Sequence, residues 1–538
     1  MPLQPGNQIL VLSDIHIGNN SPTCWYQKKD HEPYLNAVFD WIIDSQNSPS
    51  PVRQLILLGD LVDFWTYPAN VIPPTFKEII DANPNILGPN GRLAEALDLL
   101  EGEVHYLTGN HDMSVTQSDM AQLQSPHGFS PKFTEGAFFE PMVSVNGIAV
   151  PTGITAAHGH HYTLFNAPDA TTPWAPMPIG HFVTRMVASM WAKKLNPGET
   201  VADLAGQGAP NGTRVLESFV QNQLVAPWIG GGHNASIGGK MLDAIATATE
   251  WDPSERFIVP GFSPANFPNL AEVKAIYANL WNNWVAQHGG GEAGAISAYK
   301  AALADAKAWY LGWFAQQVAF SRGSKQVVFG HTHEPISAML HSEVGYINSG
   351  FQCASIPDMT VQAMSFGVLG ADPVTAKVMQ AKWDGGGIKI EALDAPSVQP
   401  VPPPAMDYSC YVTLTNSQTV PMSLQSISVG TGYLAVPPPS VLNAGETRTF
   451  WLTDYPSFPI PHGSDCKVVY QSPLEEVPGG GLTQFAEGLL VDCPTGAFSN
   501  KVEGGQSFTA KSGEPNGPWL PPGQVPPRGH PLYVHFTL

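Results

Sequence analysis

Five short polar clusters hold the side chains best suited to chemistry: Asp14-Ile15-His16, Gly59-Asp60-Leu61-Val62-Asp63, Gly109-Asn110-His111-Asp112, His158-Gly159-His160-His161 and Gly330-His331-Thr332-His333. Imidazole and carboxylate suit Zn, Mn and Fe dications, and a carboxylate can bridge two of them. Two ions about 3.5–4 Å apart clamp the attacking and leaving oxygens of an in-line displacement, and they acidify a bridging water so that hydroxide forms near neutral pH. The side-chain oxygen of Asn110 adds a ligand without adding charge. A histidine beside the metals but not bound to them can protonate a departing alkoxide. A single DxH or HxH is more often a solvated loop, but each of these clusters follows an apolar run, and together they point to one metal centre.

The runs before the clusters read as buried strands: Gln8 to Leu12, Gln54 to Leu58, Glu103 to Leu107, Ile148 to Ile154 (running towards His158) and Gln326 to Phe329. Tyr34 to Ile43 and Arg92 to Leu100 have apolar positions at helical spacing. Strand, polar cluster, helix, strand is the pattern of an α/β domain with ligands at the carboxyl ends of its strands. Residues 162–324 interrupt it with a helical insertion, read at His181 to Lys194, Leu242 to Glu250, Leu270 to Gln287 and Ala295 to Phe320. It is rich in Trp, Met and Ala, including Trp174, Trp191, Trp228, Trp281, Trp284, Trp309 and Trp313. These aromatics either pack the insertion's own core or form a lid with an apolar face. A Pro-rich stretch, 395–406, reads as a linker. Beyond it, 407–538 holds short strand-like runs separated by Pro, Gly and Asn turns, the pattern of an all-β sandwich.

Composition narrows the function classes. The net charge of -20 argues against nucleic-acid partners, which are held through basic surface. It leaves room for a phosphate substrate whose charge is met by bound cations. Cys24, Cys353, Cys410, Cys466 and Cys493 show no CxxC pairing, so a zinc-thiolate site is not expected, while one disulfide in the last quarter is compatible with the spacing. The opening residues contain no basic segment followed by a long apolar run, and Ile9–Leu12 is too short to span a bilayer. The expectation is a cytoplasmic protein, with export by another route left open.

The five clusters, in this order, resemble the calcineurin-like metallophosphoesterases over roughly the first 390 residues outside the insertion. The resemblance implies a catalytic domain at 1–394, a four-layer α/β sandwich carrying the 162–324 cap. Asp14, His16, Asp60 and His333 would hold one divalent metal, and Asp60, Asn110, His158 and His331 the other, with Asp60 bridging. His111 would be the general acid and Asp63 would orient it. His160 and His161 receive no role. The metals would be Mn, Zn or Fe, and a metal-bridging hydroxide would hydrolyse a phosphate mono- or diester. Gly59-Asp60-Leu61-Val62-Asp63-Phe64-Trp65 lacks the Asp-Arg-Gly of Ser/Thr protein phosphatases, and Gly109-Asn110-His111-Asp112 lacks their Glu. These motifs, with Tyr346-Ile347-Asn348-Ser349-Gly350, look more like the UDP-diacylglucosamine pyrophosphatase branch, which implies a lipid-like substrate. The much larger insertion keeps that substrate from being carried over directly.

The C-terminal region is weakly similar to aegerolysin-type sandwiches through Asp492-Cys493-Pro494-Thr495-Gly496, the Thr413 to Asn416 strand and the Pro437-Pro438-Pro439 to Gly445 turn. That similarity implies contact with membrane lipid, against a generic carbohydrate- or protein-binding sandwich. The leading expectation is therefore a phosphoesterase. The alternatives are a lipid-binding or toxin-like protein whose sandwich brings the enzyme to a membrane, and a metal-dependent nuclease. A metal-free scaffold is a further rival, but such a protein should have lost ligands, and the whole set is present.

Overall fold

The computed structural model describes residues 3–204, 236–305, 308–351, 363–399, 404–454, 462–477, 481–495 and 498–538. The chain divides into two compact units. The first comprises Met1–Leu311, Gln326–Ala338 and Tyr346–Val398; the second comprises Gly312–Lys325, Met339–Gly345 and Gln399–Leu538. Trp228, Cys353, Gly496 and residues 400–403 of the Pro-rich stretch lie outside the described residues.

A seven-stranded mixed sheet organises the first unit. Strands Gln8–Leu12, Val52–Leu58, Val104–Leu107 and Lys132–Phe133 run parallel to one another, and Ala363–Ala371, Val374–Trp383 and Ile388–Ala392 extend the other edge antiparallel. A three-stranded sheet contains Ile154–Ala156 and, parallel to it, Gln326–Phe329, which is flanked by Gly345–Asn348. Strand side chains alternate between faces. Leu10 and Leu12 enter a core with Leu35, Val38 and Phe39 of helix Lys28–Ser45. Ile9 and Val11 enter a second core with Ile154, Val328 and Ile347 of the smaller sheet. Burial on both faces is why these strands read as unbroken apolar runs.

Several expected elements are drawn differently: the helix expected over Leu270 to Gln287 is two, Leu270–Ile276 and Leu280–Gln287, and that over Ala295 to Phe320 is Gly291–Ala304 and Ala308–Arg322. Helix Lys28–Ser45 begins well before Tyr34, with Pro33 inside it. The single strand expected over Ile148 to Ile154 is two. Ile148–Pro151 pairs with Met142–Val145 in a hairpin, and the chain breaks at Gly153 (φ 82°) before Ile154–Ala156 joins the other sheet.

In the insertion, the described helices are Ile179–Lys194, Val201–Leu204, Ile237–Ala248, Leu270–Ile276, Leu280–Gln287, Gly291–Ala304 and Ala308–Arg322. Phe182, Met186, Met190 and Trp191 are all buried. Phe182 packs edge-to-face against Trp174 and Phe257, and Phe257 stacks on Trp251. These aromatics therefore spend their surface on the insertion's own interior. Helix Ala308–Arg322 leaves the first unit at Leu311. No helix of the described residues is long and apolar enough to cross a membrane.

The second unit has two five-stranded sheets. One runs in the order Tyr433–Val436, Thr447–Thr453, Cys410–Thr415, Leu532–Thr537, Ser507–Ser512. The other runs Val441–Leu442, Met422–Thr431, Ser464–Gln471, Ala486–Cys493, Lys501–Gly504. Val412, Leu414 and Phe450 from the first share one core with Val468, Tyr470 and Val491 from the second. Cys410, Cys466 and Cys493 are buried in that core as free thiols, and Cys24 is buried and free elsewhere.

Candidate metal centre

Each polar cluster sits just past the carboxyl end of a strand. Asp14 follows Gln8–Leu12, Asp60 follows Val52–Leu58, Asn110 follows Val104–Leu107, His158 follows Ile154–Ala156 and His331 follows Gln326–Phe329. Both sheets thus deliver their clusters to one place. The backbone turns sharply to do so. Asp14, His16, Asp60, His331 and His333 all have positive φ, between 53° and 72°. Left-handed backbone costs a residue with a side chain of order 1–3 kcal/mol and persists where surroundings over-determine it, commonly at functional sites. Gly109 is required for a different reason: a Cβ there would collide with the Asp60 carboxylate.

Among the described residues three groups have ligand atoms close enough to share an ion: Asp14, His16 and His333; Asp60, His158 and His331; and His16, Asp63 and His111, in which Asp63 is already hydrogen-bonded to both rings. His16 Nε2 lies 3.1 Å from His333 Nε2 and 3.8 Å from Asp60 Oδ2. Asp60 Oδ2 is 3.2 Å from His158 Nε2, so this carboxylate faces both of the first two groups. Its Oδ1 accepts the His111 backbone N–H at 2.7 Å. Asn110 Oδ1 lies 3.2 Å from His158 Nε2 and 2.9 Å from His331 Nδ1. Asp14 Oδ1 accepts the His331 backbone N–H at 2.8 Å, whereas Asp14 Oδ2 is buried with no hydrogen-bond partner among the described residues.

This donor set fits divalent cations. A buried, unpartnered carboxylate oxygen is expensive unless a cation or donor meets it. His158 Nδ1 donates to the Leu58 carbonyl at 2.8 Å, leaving the Nε2 lone pair facing Asp60 and Asn110. His16 is held the same way, with Nδ1 on Asp63 Oδ2 at 2.9 Å and Nε2 turned to His333. Such outer partners fix the tautomer that a ligating histidine needs.

Burial opposes charge throughout the cluster, and the neighbours decide the outcome. Burial disfavours protonated His158, but the Asp60 carboxylate outweighs it and raises the pKa to about 9. Burial and then His16 hold His333 well below the ordinary histidine range. Burial disfavours ionised Asp60, yet His158, His111 and His16 take its pKa well below the usual carboxylate value.

The residue with the widest reach is Asp63. Its Oδ1 accepts the backbone N–H groups of Trp65 (2.6 Å) and Thr66 (3.0 Å). Its Oδ2 sits between His16 Nδ1 (2.9 Å) and His111 Nδ1 (3.1 Å). Burial opposes its charge, but His111 and His16 lower its pKa well below the usual range, so it stays ionised. The expected link to His111 is present; the second bond, to His16, was not anticipated.

Sequence reasoning also passed over several neighbours. Trp65, at the end of the Gly59–Trp65 motif, stacks on His111 (4.4 Å, 30°). Trp25 lies edge-on to His16 and His333 and 5.1 Å from His111, and nothing in its local sequence signals this. Asp112 is buried and accepts from Leu61 N, Gly109 N and Tyr106 Oη, so it shapes the loop. Burial, with Asp60 nearby, raises its pKa to about 6. Asp305, from the insertion, comes within 3.9 Å of His331 Nε2. His160 is buried against His158 and His161 with Nδ1 unpartnered among the described residues.

No curated protein matches the chain. Residues 8–235 match the family model of the calcineurin-like phosphoesterases, a span that includes Asp14, His16, Asp60, Asp63, Asn110, His111 and His158 and ends before His331 and His333. Together with the clustered His and Asp ligand atoms, the match supports the metallophosphoesterase superfamily and a metal-dependent hydrolase acting on a phosphoester.

Proposed function

We propose that the chain hydrolyses a phosphate mono- or diester at a two-metal centre. The observation that carries this reading is Asp60, whose one carboxylate oxygen faces His16 and His158, members of two adjoining ligand groups. Asp14, His16, Asp60 and His333 would hold one cation, and Asp60, Asn110, His158 and His331 the other. Cations bound there would acidify a water to hydroxide near neutral pH and offset charge on the transferring phosphoryl group. Asp63 Oδ2 faces His111 Nδ1, which leaves Nε2 as the ring atom that would donate to the leaving oxygen. Trp65, stacked on the ring, holds its plane.

The substrate class is a phosphoester. A lipid-like ester, as in the UDP-diacylglucosamine pyrophosphatase branch, would need a free apolar surface, and Phe182, Met186, Met190 and Trp191 are buried.

The test is a chelator-stripped sample reloaded with Mn, Zn or Fe and assayed on nitrophenyl phosphate, bis-nitrophenyl phosphate and single-stranded DNA. Metal-dependent turnover of either small ester supports the reading. Turnover of DNA alone would replace it with the nuclease. Equal rates with and without metal would overturn it.

A further inference from the structure

Helix Ile179–Lys194 of the insertion supplies none of the ligand groups, yet one of its side chains meets the residue that stacks on His111. His181 is 1% exposed, and its ring lies 5.3 Å from that of Trp65, at 82° to it. Trp65, itself buried, stacks in turn on His111. Neither ring nitrogen of His181 has a hydrogen-bond partner among the described residues. Buried nitrogens left unbonded cost free energy, so what this ring contributes is its shape, set edge-to-face with Trp65 and Phe182. The same helix is fastened to the chain that follows Trp65. Arg185, one turn on from His181 and fully buried, brings Nη2 to the carbonyls of Pro68 (2.8 Å), Ala69 (3.2 Å) and Val71 (2.6 Å), and Nη1 to that of Ile258 (3.2 Å). A turn later, Ser189 Oγ accepts from Ala69 N at 2.8 Å and donates to the Arg185 carbonyl at 2.9 Å. Asp63 Oδ1 accepts the N–H groups of Trp65 and Thr66. Residues 65–71 are thus tied at one end to the carboxylate that faces His111 and at the other to the insertion helix.

A proton donor needs such support. His111 Nδ1 faces Asp63 Oδ2 at 3.1 Å, and one bond fixes one ring atom. The torsion that turns an imidazole about its Cβ–Cγ bond is broad, so the ring could still tilt and carry Nε2 away from the leaving oxygen. An indole pressed on its face removes that freedom, and a misplacement of about 1 Å can cost about 10²-fold in rate. We propose that His181 and Arg185 are positioning residues supplied by the insertion: Arg185 fixes the 68–71 segment, His181 backs Trp65, and Trp65 sets the plane of His111. The inference rests on the role of His111 in the phosphoesterase reading.

The test compares the full chain with its His181→Ala, His181→Phe and Arg185→Lys variants at saturating metal, on an alkyl phosphoester and a nitrophenyl ester. His181→Ala should lose about tenfold or more in kcat on the alkyl ester and less than about twofold on the nitrophenyl ester, whose leaving group needs little protonation. Its metal affinity, read by competition with a chelating indicator, should stay at the wild-type value. His181→Phe keeps a flat ring beside Trp65 and should restore the alkyl rate to within about threefold of wild type. Arg185→Lys offers one ammonium to four carbonyls and should follow His181→Ala. In a His111→Ala background none of these changes should lower the rate further. A readout independent of turnover is the ring-proton signal of His111 in histidine-labelled protein, assigned by its loss in His111→Ala. The Trp65 face shields that proton, so its signal should move in His181→Ala and stay in place in His181→Phe. Should His181→Ala prove unfolded by circular dichroism, Ser189→Ala, which removes only the acceptor for Ala69 N, takes its place in every comparison but the Phe rescue. Equal losses on both esters, a further loss in the His111→Ala background, no rescue by Phe, or an unmoved His111 signal would overturn the inference. Absence of turnover in the wild type would count against the phosphoesterase reading alone, because the NMR comparison still decides whether His181 sets the His111 ring.

Discussion

Replacing Asp63 by Asn leaves the side chain's size unchanged and removes the charge that two imidazoles share. In the wild type, Oδ2 faces His16 Nδ1 at 2.9 Å and His111 Nδ1 at 3.1 Å. Each is a charge-assisted bond, a class worth about 1.5–3 kcal/mol. On the His16 side, losing a ligand's outer partner typically costs about 10–100-fold in metal affinity. An Asn Nδ2–H turned towards the ring would also favour the Nε2–H tautomer, and Nε2 is the atom that faces His333 and Asp60. On the His111 side, the proton donor loses its anchor, in a step generally worth about 10²–10⁴-fold. A double-mutant cycle separates the two. In a His111→Ala background, Asp63→Asn should still weaken metal binding about 10–100-fold, read by competition with a chelating indicator. Turnover should fall no further once metal is saturating. If Asp63→Asn leaves metal affinity at the wild-type value in both backgrounds, the bond to His16 has no part in ligation, and Asp63 serves His111 alone.

Three further outcomes are expected. His111→Ala should retain its metals and lose at least about 10²-fold on alkyl phosphoesters, with a much smaller loss on nitrophenyl esters, whose leaving group needs little protonation; equal losses across leaving groups of differing pKa would exclude a general acid. Gly109→Ala, by driving a Cβ into the Asp60 carboxylate, should reduce metal content and activity together while circular dichroism stays native, and a fully loaded, active variant would contradict the close approach. Burial lowers the pKa of His31 from 6.5 to about 4, so the unfolded chain takes up this proton at higher pH than the folded one. Its contribution is therefore complete above about pH 6.5 and declines, by up to about 3 kcal/mol, as pH falls to about 4. His31→Phe, between Tyr26 and Phe351, should flatten the urea midpoint across that window, and parallel curves for the two proteins would refute the assignment.

The strands before the clusters were legible because they are buried on both faces, which makes Ile9–Leu12 and Leu55–Leu58 continuously apolar. The placement of the clusters at strand ends followed from that pattern. The break at Gly153 had a signal, Pro151-Thr152-Gly153 between the apolar Ile148–Val150 and Ile154, but apolarity on either side of it does not say which partner each half pairs with. The candidate site was legible where ligand-type side chains fall within a few residues of one another. It was not legible where a contact spans distant segments, as with Trp25 against His111 and Asp305 near His331. The double use of Asp63 depends on Asp63 Oδ2 lying between two rings, a matter of ångströms that residue spacing does not encode. In the insertion the Trp and Phe content was plain, but whether those rings face a substrate or one another was decided by packing, through the Phe182 contacts with Trp174 and Phe257.

The central claim is that one carboxylate, Asp60, serves two metal sites. Its direct test is the metal content of Asp60→Asn beside wild type, measured by elemental mass spectrometry after reloading and dialysis, with circular dichroism as the check on folding. The account predicts two equivalents of divalent metal in the wild type and weakened retention at both sites in the variant, with most activity lost. A folded Asp60→Asn protein that keeps both equivalents and normal turnover would contradict it.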